Sequence, residues 1–176
     1  MTHQFAKKEK LMNAEEMSEK ARTNFLNGFN CAQSVFCAFV EELGESVCGM
    51  NLETAQKLSS SFGGGMGRLR EVCGTVSGMF MAAGLVYGYS TSSEPDAKAK
   101  HYALIQELAK KFAEKHGSIV CRDLLGLPPK TSAFAPDSPV PEARTEQYYK
   151  KRPCADLVAD AARIFAEYYL SHPKAS

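Results

Sequence analysis

The chain contains six cysteines, and four of them fall where helices are expected to begin. These four are Cys31, Cys73, Cys121 and Cys154. Cys31 follows the candidate cap Asn30, and Cys154 follows Pro153, a residue type favoured in the first turn of a helix. The unpaired N–H groups and partial positive charge of a helix N-terminus stabilise a thiolate, so a lowered thiol pKa is expected at these positions. Because the thiolate is both the nucleophile and the metal ligand, the four cysteines are the candidate catalytic and metal-binding residues.

The two remaining cysteines are expected to play other parts. Cys37 lies about 120° from Cys31 around the same expected helix, so it is predicted to fill the core. Cys48 lies in an expected loop after Gly44 and is predicted to be a surface thiol. The spacing of the four candidate cysteines matches neither zinc fingers nor ferredoxins. Local sequence therefore leaves open whether they meet in space or are buried separately as small apolar side chains.

Length and composition narrow the classes of protein to which the chain can belong. With 176 residues, 44% hydrophobic and 23% charged, it matches one globular domain that can bury a core without disulfides. The formal net charge of +1 favours neither nucleic acid nor a membrane surface as a partner. The first residues, MTHQFAKKEK, lack the apolar run of a secretory signal, so a cytoplasmic location is expected. In that compartment cysteines are thiols, metal ligands or transient redox disulfides.

The apolar periodicity predicts an all-α fold, a single-domain bundle of about six to seven helices. The predicted helices cover residues 9–27, 30–43, a short stretch after Asn51, much of 72–93, 95–115, a brief helix capped by Ser118, and 153–170. The domain is expected to span residues 1–176, with a flexible N-terminus at 1–8 and a proline-rich surface connection at 127–147. No sustained two-residue alternation indicates a strand.

The helix expected within residues 72–93 carries no charge and is rich in glycine. A segment of that length could cross a bilayer, but its small and polar residues favour a central helix against which neighbours pack closely. Gly74 and Gly78 form a small-residue pair that suits such packing, either within the chain or between two copies in a homodimer.

The loop GGGMGR precedes this helix and lacks the features of a nucleotide-binding motif. It has no Lys-Ser/Thr ending, and Arg70 stands where a dinucleotide motif needs its third glycine. The loop is therefore predicted to be a tight connection whose glycines let the backbone approach a helix or a sulfur. Arg68 and Arg70 could hold a small anion or face water. The four histidines are expected at the surface, and neither a hydrolase triad nor a paired-carboxylate site is indicated.

Four segments together resemble the redox-active protein family called C-GCAxxG-C-C. They are GFNCAQSVFCAF, FGGGMGRLREVCGTVSG, GSIVCRDLLGL and RPCADLV. The family pattern includes Cys-Gly-Ala-x-x-Gly, which residues 73–78 match except that Thr75 replaces alanine; its hydroxyl could bond a sulfur or a carbonyl. The resemblance implies a helical, cytoplasmic, cysteine-dependent redox or metal protein, with Gly74 beside the four cysteines at the cofactor. The chain is also similar to the helical part of split-Soret cytochrome c, which holds an iron–sulfur centre.

Three functions are compatible with these residues. The four cysteines could bind an iron–sulfur cluster and carry electrons to and from an unidentified redox partner protein. Pairs of them could instead form a reversible disulfide in a metal-free thiol oxidoreductase. They could also form a structural four-thiolate zinc site, which is less favoured, or no site at all in an interaction module. Covalent c-type haem is not expected because the chain has no Cys-x-x-Cys-His.

Overall fold

The computed structural model describes residues 13–91 and 95–173 and confirms the all-α fold class. The described residues form nine helices and one short turn, α5 (Gly63–Met66), in which three of the four residues have left-handed φ values. They are α1 (Ala14–Leu26), α2 (Cys31–Leu43), α3 (Glu45–Cys48), α4 (Leu52–Ser60), α5 (Gly63–Met66), α6 (Gly74–Tyr87), α7 (Pro95–His116), α8 (Cys121–Leu124), α9 (Glu146–Lys151) and α10 (Cys154–Ser171). Six of these have nine or more residues; five correspond to the predicted long helices, and α4 corresponds to the shorter helix predicted after Asn51. The expected flexible stretch at 1–8 lies outside the described residues.

Asparagine caps define where three of the helices begin. The side chains of Asn13, Asn30 and Asn51 each accept a hydrogen bond from the backbone N–H three residues later. Asn13 and Asn30 form full capping boxes, because the side chain at the third helical position returns a bond to the cap backbone. The Asn30 box places Cys31 at the first position of α2. In addition, Asn30 Nδ2 donates to Ser60 O at 2.9 Å, which ties this helix start to the end of α4.

The helices pack around one continuous hydrophobic cluster. The most extensive contacts are those of α1 with α10 and of α2 with α6, and α2 also packs on α1 and α4. Inside the cluster, the rings of Phe39 and Phe165 meet edge to face with centroids 4.8 Å apart. The starts of α2 and α10 keep a fixed position relative to each other because both helices are buried in the same core.

Glycines bring α6 into close contact with α2. A Cβ on Gly78 would lie 2.6 Å from Ala32 O, and one on Gly74 would lie 2.6 Å from Phe62 O and 3.2 Å from the Cβ of Cys31. The predicted close packing of small residues is confirmed, and it is made within the chain. Among the described residues, no helix combines the length and apolar character needed to cross a bilayer.

Three local predictions were wrong. Cys48 ends the short helix α3 and is 6% exposed, so it is not a surface thiol; its sulfur packs against α2, 3.9 Å from Val40 O. Ser118 does not cap α8, because the cap position belongs to Val120, whose N–H donates to Ser118 Oγ at 3.0 Å. Residues 127–145 form an exposed, helix-free proline-rich segment, but α9 begins at Glu146, inside the expected connection.

Candidate functional site

The four candidate cysteines come together at one cavity. Each lies at the start of a different helix: Cys31, Cys121 and Cys154 are the first residues of α2, α8 and α10, and Cys73 is the cap residue of α6. All four line a cavity of about 310 Å³, and all but the half-buried Cys31 are buried. The fold therefore joins residues that are far apart in sequence.

A single β-bridge aligns two of the cysteines. Val72 and Val120 pair in antiparallel fashion, so the Cys73 N–H donates to Ile119 O at 2.8 Å and the Cys121 N–H donates to Glu71 O at 2.7 Å. Both bonds hold the backbone of a cysteine directly. The bridge thereby fixes the start of α6 beside the start of α8.

The glycine-rich loop lies against the cysteines, as its sequence predicted. A Cβ on Gly65 would be 2.7 Å from the Cβ of Cys121, so only glycine permits this approach. The backbone of Gly64 donates a hydrogen bond to the sulfur of Cys31. Gly64 and Gly65 have φ values of 66° and 72°, in the region that favours glycine. The loop thus supports two of the four sulfur atoms.

The loop also carries non-glycine residues in the left-handed region. Met66, Arg68 and Arg70 have φ values of 60°, 67° and 62°. Such a conformation costs an ordinary side chain about 1–2 kcal/mol and is retained only where the surroundings hold it. Here the holding contacts are made by the two arginine side chains, which reach the proline-rich segment.

Arg70 is a buried cation placed between a cysteine and a carboxylate. Its Nη1 lies 3.8 Å from Cys121 Sγ, while its Nη2 and Nε lie 2.5 and 3.0 Å from the same oxygen of Asp137. Arg68 Nη2 also reaches that oxygen, at 3.1 Å. The alternatives of a free anion site or water-facing arginines were therefore wrong, because the chain supplies the anion itself.

The outer wall of the cavity comes from the proline-rich segment and α9. Pro139, Pro141, Arg144 and Tyr148 line it together with Arg152. Arg144 donates to Phe29 O at 2.7 Å and also to Phe25 O, and its guanidinium lies 4.3 Å from the centre of the Phe25 ring. Sequence reasoning treated this stretch only as a surface connection. The signal it overlooked is the presence of Asp137 and Arg144 among the prolines.

Burial controls the acidity of most of the thiols. It raises the pKa of Cys73 to about 12, against the opposing effect of the adjacent Thr75, and it raises the pKa of Cys121, which Arg70 opposes. The interaction between the Cys31 and Cys154 thiols raises the pKa of Cys31 and lowers that of Cys154. The expected lowering at helix N-termini was therefore wrong for three of the four, because desolvation dominates at Cys73 and Cys121 and the interaction with Cys154 dominates at Cys31.

The hydroxyl of Thr75 is an unsatisfied group at this site. Oγ1 is fully buried and has no hydrogen-bond partner of normal geometry within the described part of the chain. It lies beside the sulfur of Cys73, which it stabilises as the thiolate. A buried hydroxyl without a partner is costly, so the geometry suits an acceptor with more negative charge than a neutral thiol.

The remaining candidate ligands lie elsewhere. Cys37 is core, as predicted, with its sulfur 3.9 Å from Ser59 Oγ. The expectation that every histidine lies at the surface was wrong for His101 and His116, which are half-buried, and His3 lies outside the described residues. His116 Nε2 lies 3.1 Å from Asp160 Oδ2. Across residues 13–91 and 95–173, no group of three or more His, Cys, Asp or Glu side chains is placed to hold a metal ion.

Comparison with known proteins yields one family. A family model described as "Putative redox-active protein (C_GCAxxG_C_C)" matches residues 29–168. This range includes the four clustered cysteines, the glycine-rich loop and the proline-rich segment. No curated protein and no solved structure matches the chain.

Proposed function

The chain belongs to this family of redox-active proteins, and from that premise we propose that it transfers electrons through an iron–sulfur centre held by Cys31, Cys73, Cys121 and Cys154. The observation that carries the proposal is the meeting of four thiols, from four helix starts, at one cavity. Four cysteine thiolates are the usual ligands of iron–sulfur clusters. When bound, such a centre accepts and donates one electron at a time.

The size of the cavity favours a centre of several atoms over a single ion. Zinc binds four thiolates at about 2.3 Å each, which requires the sulfurs to converge on one point. In a cluster the thiolates bind different iron atoms, so they lie further apart. A cavity of about 310 Å³ lined by the four cysteines has room for the second arrangement.

The groups around the sulfurs also suit an anionic centre. The Gly64 backbone interacts with Cys31, Thr75 with Cys73, and the Arg70 guanidinium lies 3.8 Å from the sulfur of Cys121. Hydrogen bonds to sulfur and nearby positive charge stabilise thiolates and raise the reduction potential of a cluster. Burial of Cys73, Cys121 and Cys154 lowers the local dielectric constant, which makes these interactions stronger.

The test compares iron retention in matched cysteine variants. Protein purified without oxygen is assayed for iron, sulfide and zinc and for visible absorption. We expect stoichiometric iron and sulfide in the unaltered protein and in Cys37→Ser, and a large loss in Cys73→Ser and Cys154→Ser. Cys37 is the control because it is buried on the same helix as Cys31 but faces Ser59. Equal iron retention in all three variants would contradict the proposal, as would stoichiometric zinc in place of iron.

A specific contact favours thiol–disulfide chemistry as the second candidate. The interaction between the two thiols raises the pKa of Cys31 and lowers that of Cys154, so Cys154 is suited to attack and Cys31 to resolve. In this reaction the two thiols lose two electrons and two protons and form one S–S bond, while a low-molecular-weight disulfide is reduced to two thiols. Metal-free protein that reversibly loses two titratable thiols with glutathione disulfide, but not as Cys154→Ser, would establish this alternative.

A further inference from the structure

Arg70 is unusually deeply buried for a charged residue. It is 3% exposed, although its partner Asp137 has a side chain that is 38% exposed. Its backbone adopts a left-handed φ of 62°, which adds strain to the cost of burying the charge. An arginine paired with a carboxylate at the surface would avoid both costs. In its buried position, however, Arg70 places Nη1 against the sulfur of Cys121.

Asp137 is as firmly held as Arg70. Its backbone N–H donates to Arg68 O at 3.2 Å, and its second carboxylate oxygen accepts from the N–H of Ser138 at 2.8 Å. The carboxylate therefore stands at a fixed position behind the guanidinium, on the side away from Cys121. Cysteine sulfur, guanidinium and carboxylate form an ordered row of three groups.

We propose that Arg70 and Asp137 set the reduction potential of the cysteine centre, Arg70 raising it and Asp137 lowering it. This inference rests on the proposed iron–sulfur function. Reduction adds one electron to the centre without forming or breaking a bond, and in the assay that electron comes from sodium dithionite. A cation beside the sulfur stabilises the added negative charge, whereas a nearby anion opposes it. In this row of three groups, the Asp137 carboxylate partly offsets the effect of the Arg70 guanidinium on the reduction potential.

The role of the neighbouring charges follows from their partners. Arg68 shares the Asp137 oxygen but has no contact with a cysteine, and Arg144 is bound to the carbonyls of Phe25 and Phe29. Arg152 pairs with Glu142. Among the arginines that line the cavity, the described contacts place only the Arg70 guanidinium on a cysteine sulfur. A charge change at Arg70 is therefore expected to act most directly on the centre.

The experiment measures midpoint potentials of the iron-loaded protein by redox titration with dithionite. We expect Arg70→Met to lower the midpoint potential and Asp137→Asn to raise it. For a one-electron couple, a shift of 59 mV in midpoint potential corresponds to a tenfold change in electron affinity. Arg70→Lys, which keeps the charge, should shift it less than Arg70→Met. Arg163→Met is the control. Arg163 lies nine residues after Cys154 in α10, about 13 Å along the helix axis, and its guanidinium pairs with Glu15. This substitution should leave the midpoint potential unchanged.

Opposite shifts in the two variants support the proposal, because structural damage would not move the potential in both directions. Shifts of the same sign, or unchanged potentials in variants that keep their iron, would overturn it. If the Arg70→Met protein fails to hold iron, the rise in midpoint potential expected for Asp137→Asn tests the proposal by itself. Absence of iron from the unaltered protein would instead refute the underlying iron–sulfur function, and the tuning inference with it.

Discussion

At the scale of the residue, Gly65 decides how closely the glycine-rich loop can approach Cys121. The loop needs both a left-handed backbone at this position and the absence of a side chain, since a Cβ would lie 2.7 Å from the Cβ of Cys121 and 2.9 Å from the backbone N of Glu71. The second contact is with backbone and cannot relax by a rotamer change. The placement of Cys121 therefore depends on a residue that carries no functional group.

Substitution of this glycine should separate backbone strain from crowding. We expect Gly65→Ala to lower the free energy of unfolding by about 2–5 kcal/mol, the sum of the left-handed penalty and overpacking. Gly117→Ala is the matched control, because Gly117 has a φ of 84° but nothing within 4 Å of its Cβ position. It should cost only about 1–2 kcal/mol. Chemical denaturation of the metal-free proteins measures both, and equal losses would show that crowding at Cys121 is unimportant.

At the scale of the element, the contact between α2 and α6 sets the distance between Cys31 and Cys73. Both cysteines lie at helix starts, so a shift of one helix against the other would move one thiol relative to the other. Gly78 lies one turn into α6 and allows contact with the α2 backbone at Ala32. Later in the same helix, a Cβ on Gly84 would meet only His101 Nε2, at 4.0 Å.

Two alanine substitutions in α6 should therefore have opposite effects. Gly84→Ala is expected to stabilise the fold by about 0.5–1 kcal/mol, the usual gain when alanine replaces glycine inside a helix. Gly78→Ala should destabilise it by about 1–2 kcal/mol, since overpacking against Ala32 exceeds that gain. Thermal unfolding of the two variants tests this. A stabilising Gly78→Ala would mean that α2 and α6 are not held at the distance described.

At the scale of the whole molecule, the proline-rich segment joins regions that the helices leave separate. Arg68 and Arg70 fasten it to the glycine-rich loop through Asp137, and Arg144 fastens it to the turn between α1 and α2. Because residues 127–145 have no helix of their own, their position depends on these side-chain contacts. The part of the cavity wall that the segment forms therefore depends on these contacts.

Replacement of Arg144 should loosen the attachment of the proline-rich segment without unfolding the helical bundle. We expect Arg144→Met to cost about 1–2 kcal/mol, because it removes charged hydrogen bonds to two carbonyls, and to speed cleavage within 127–145 by a non-specific protease. Arg163→Met removes an exposed ion pair with Glu15 and should change stability by less than about 1 kcal/mol with no new cleavage. Fragment masses identify the cleaved site. Equal cleavage of the two variants within residues 127–145 would contradict a local role for Arg144.

Much of this architecture was readable from the amino-acid sequence alone. Asparagine caps and the 3.6-residue apolar period predicted the starts of α2 and α4 to within a residue, since both signals are local. The same local signals placed four cysteines at helix starts and glycines beside them. Local reasoning failed at α9, and at Cys48, whose burial depends on packing against α2.

Only the tertiary structure decided which of these residues meet. Helices α2, α6, α8 and α10 converge through a buried core and one β-bridge, and neither is encoded in the spacing of the cysteines. The pKa directions of the thiols likewise depend on burial and on Arg70, Thr75 and each other rather than on helix position. Local sequence determines where a helix begins because capping involves neighbouring residues. What surrounds that beginning is decided by long-range packing, in which residues as distant as Arg70 and Asp137 become partners.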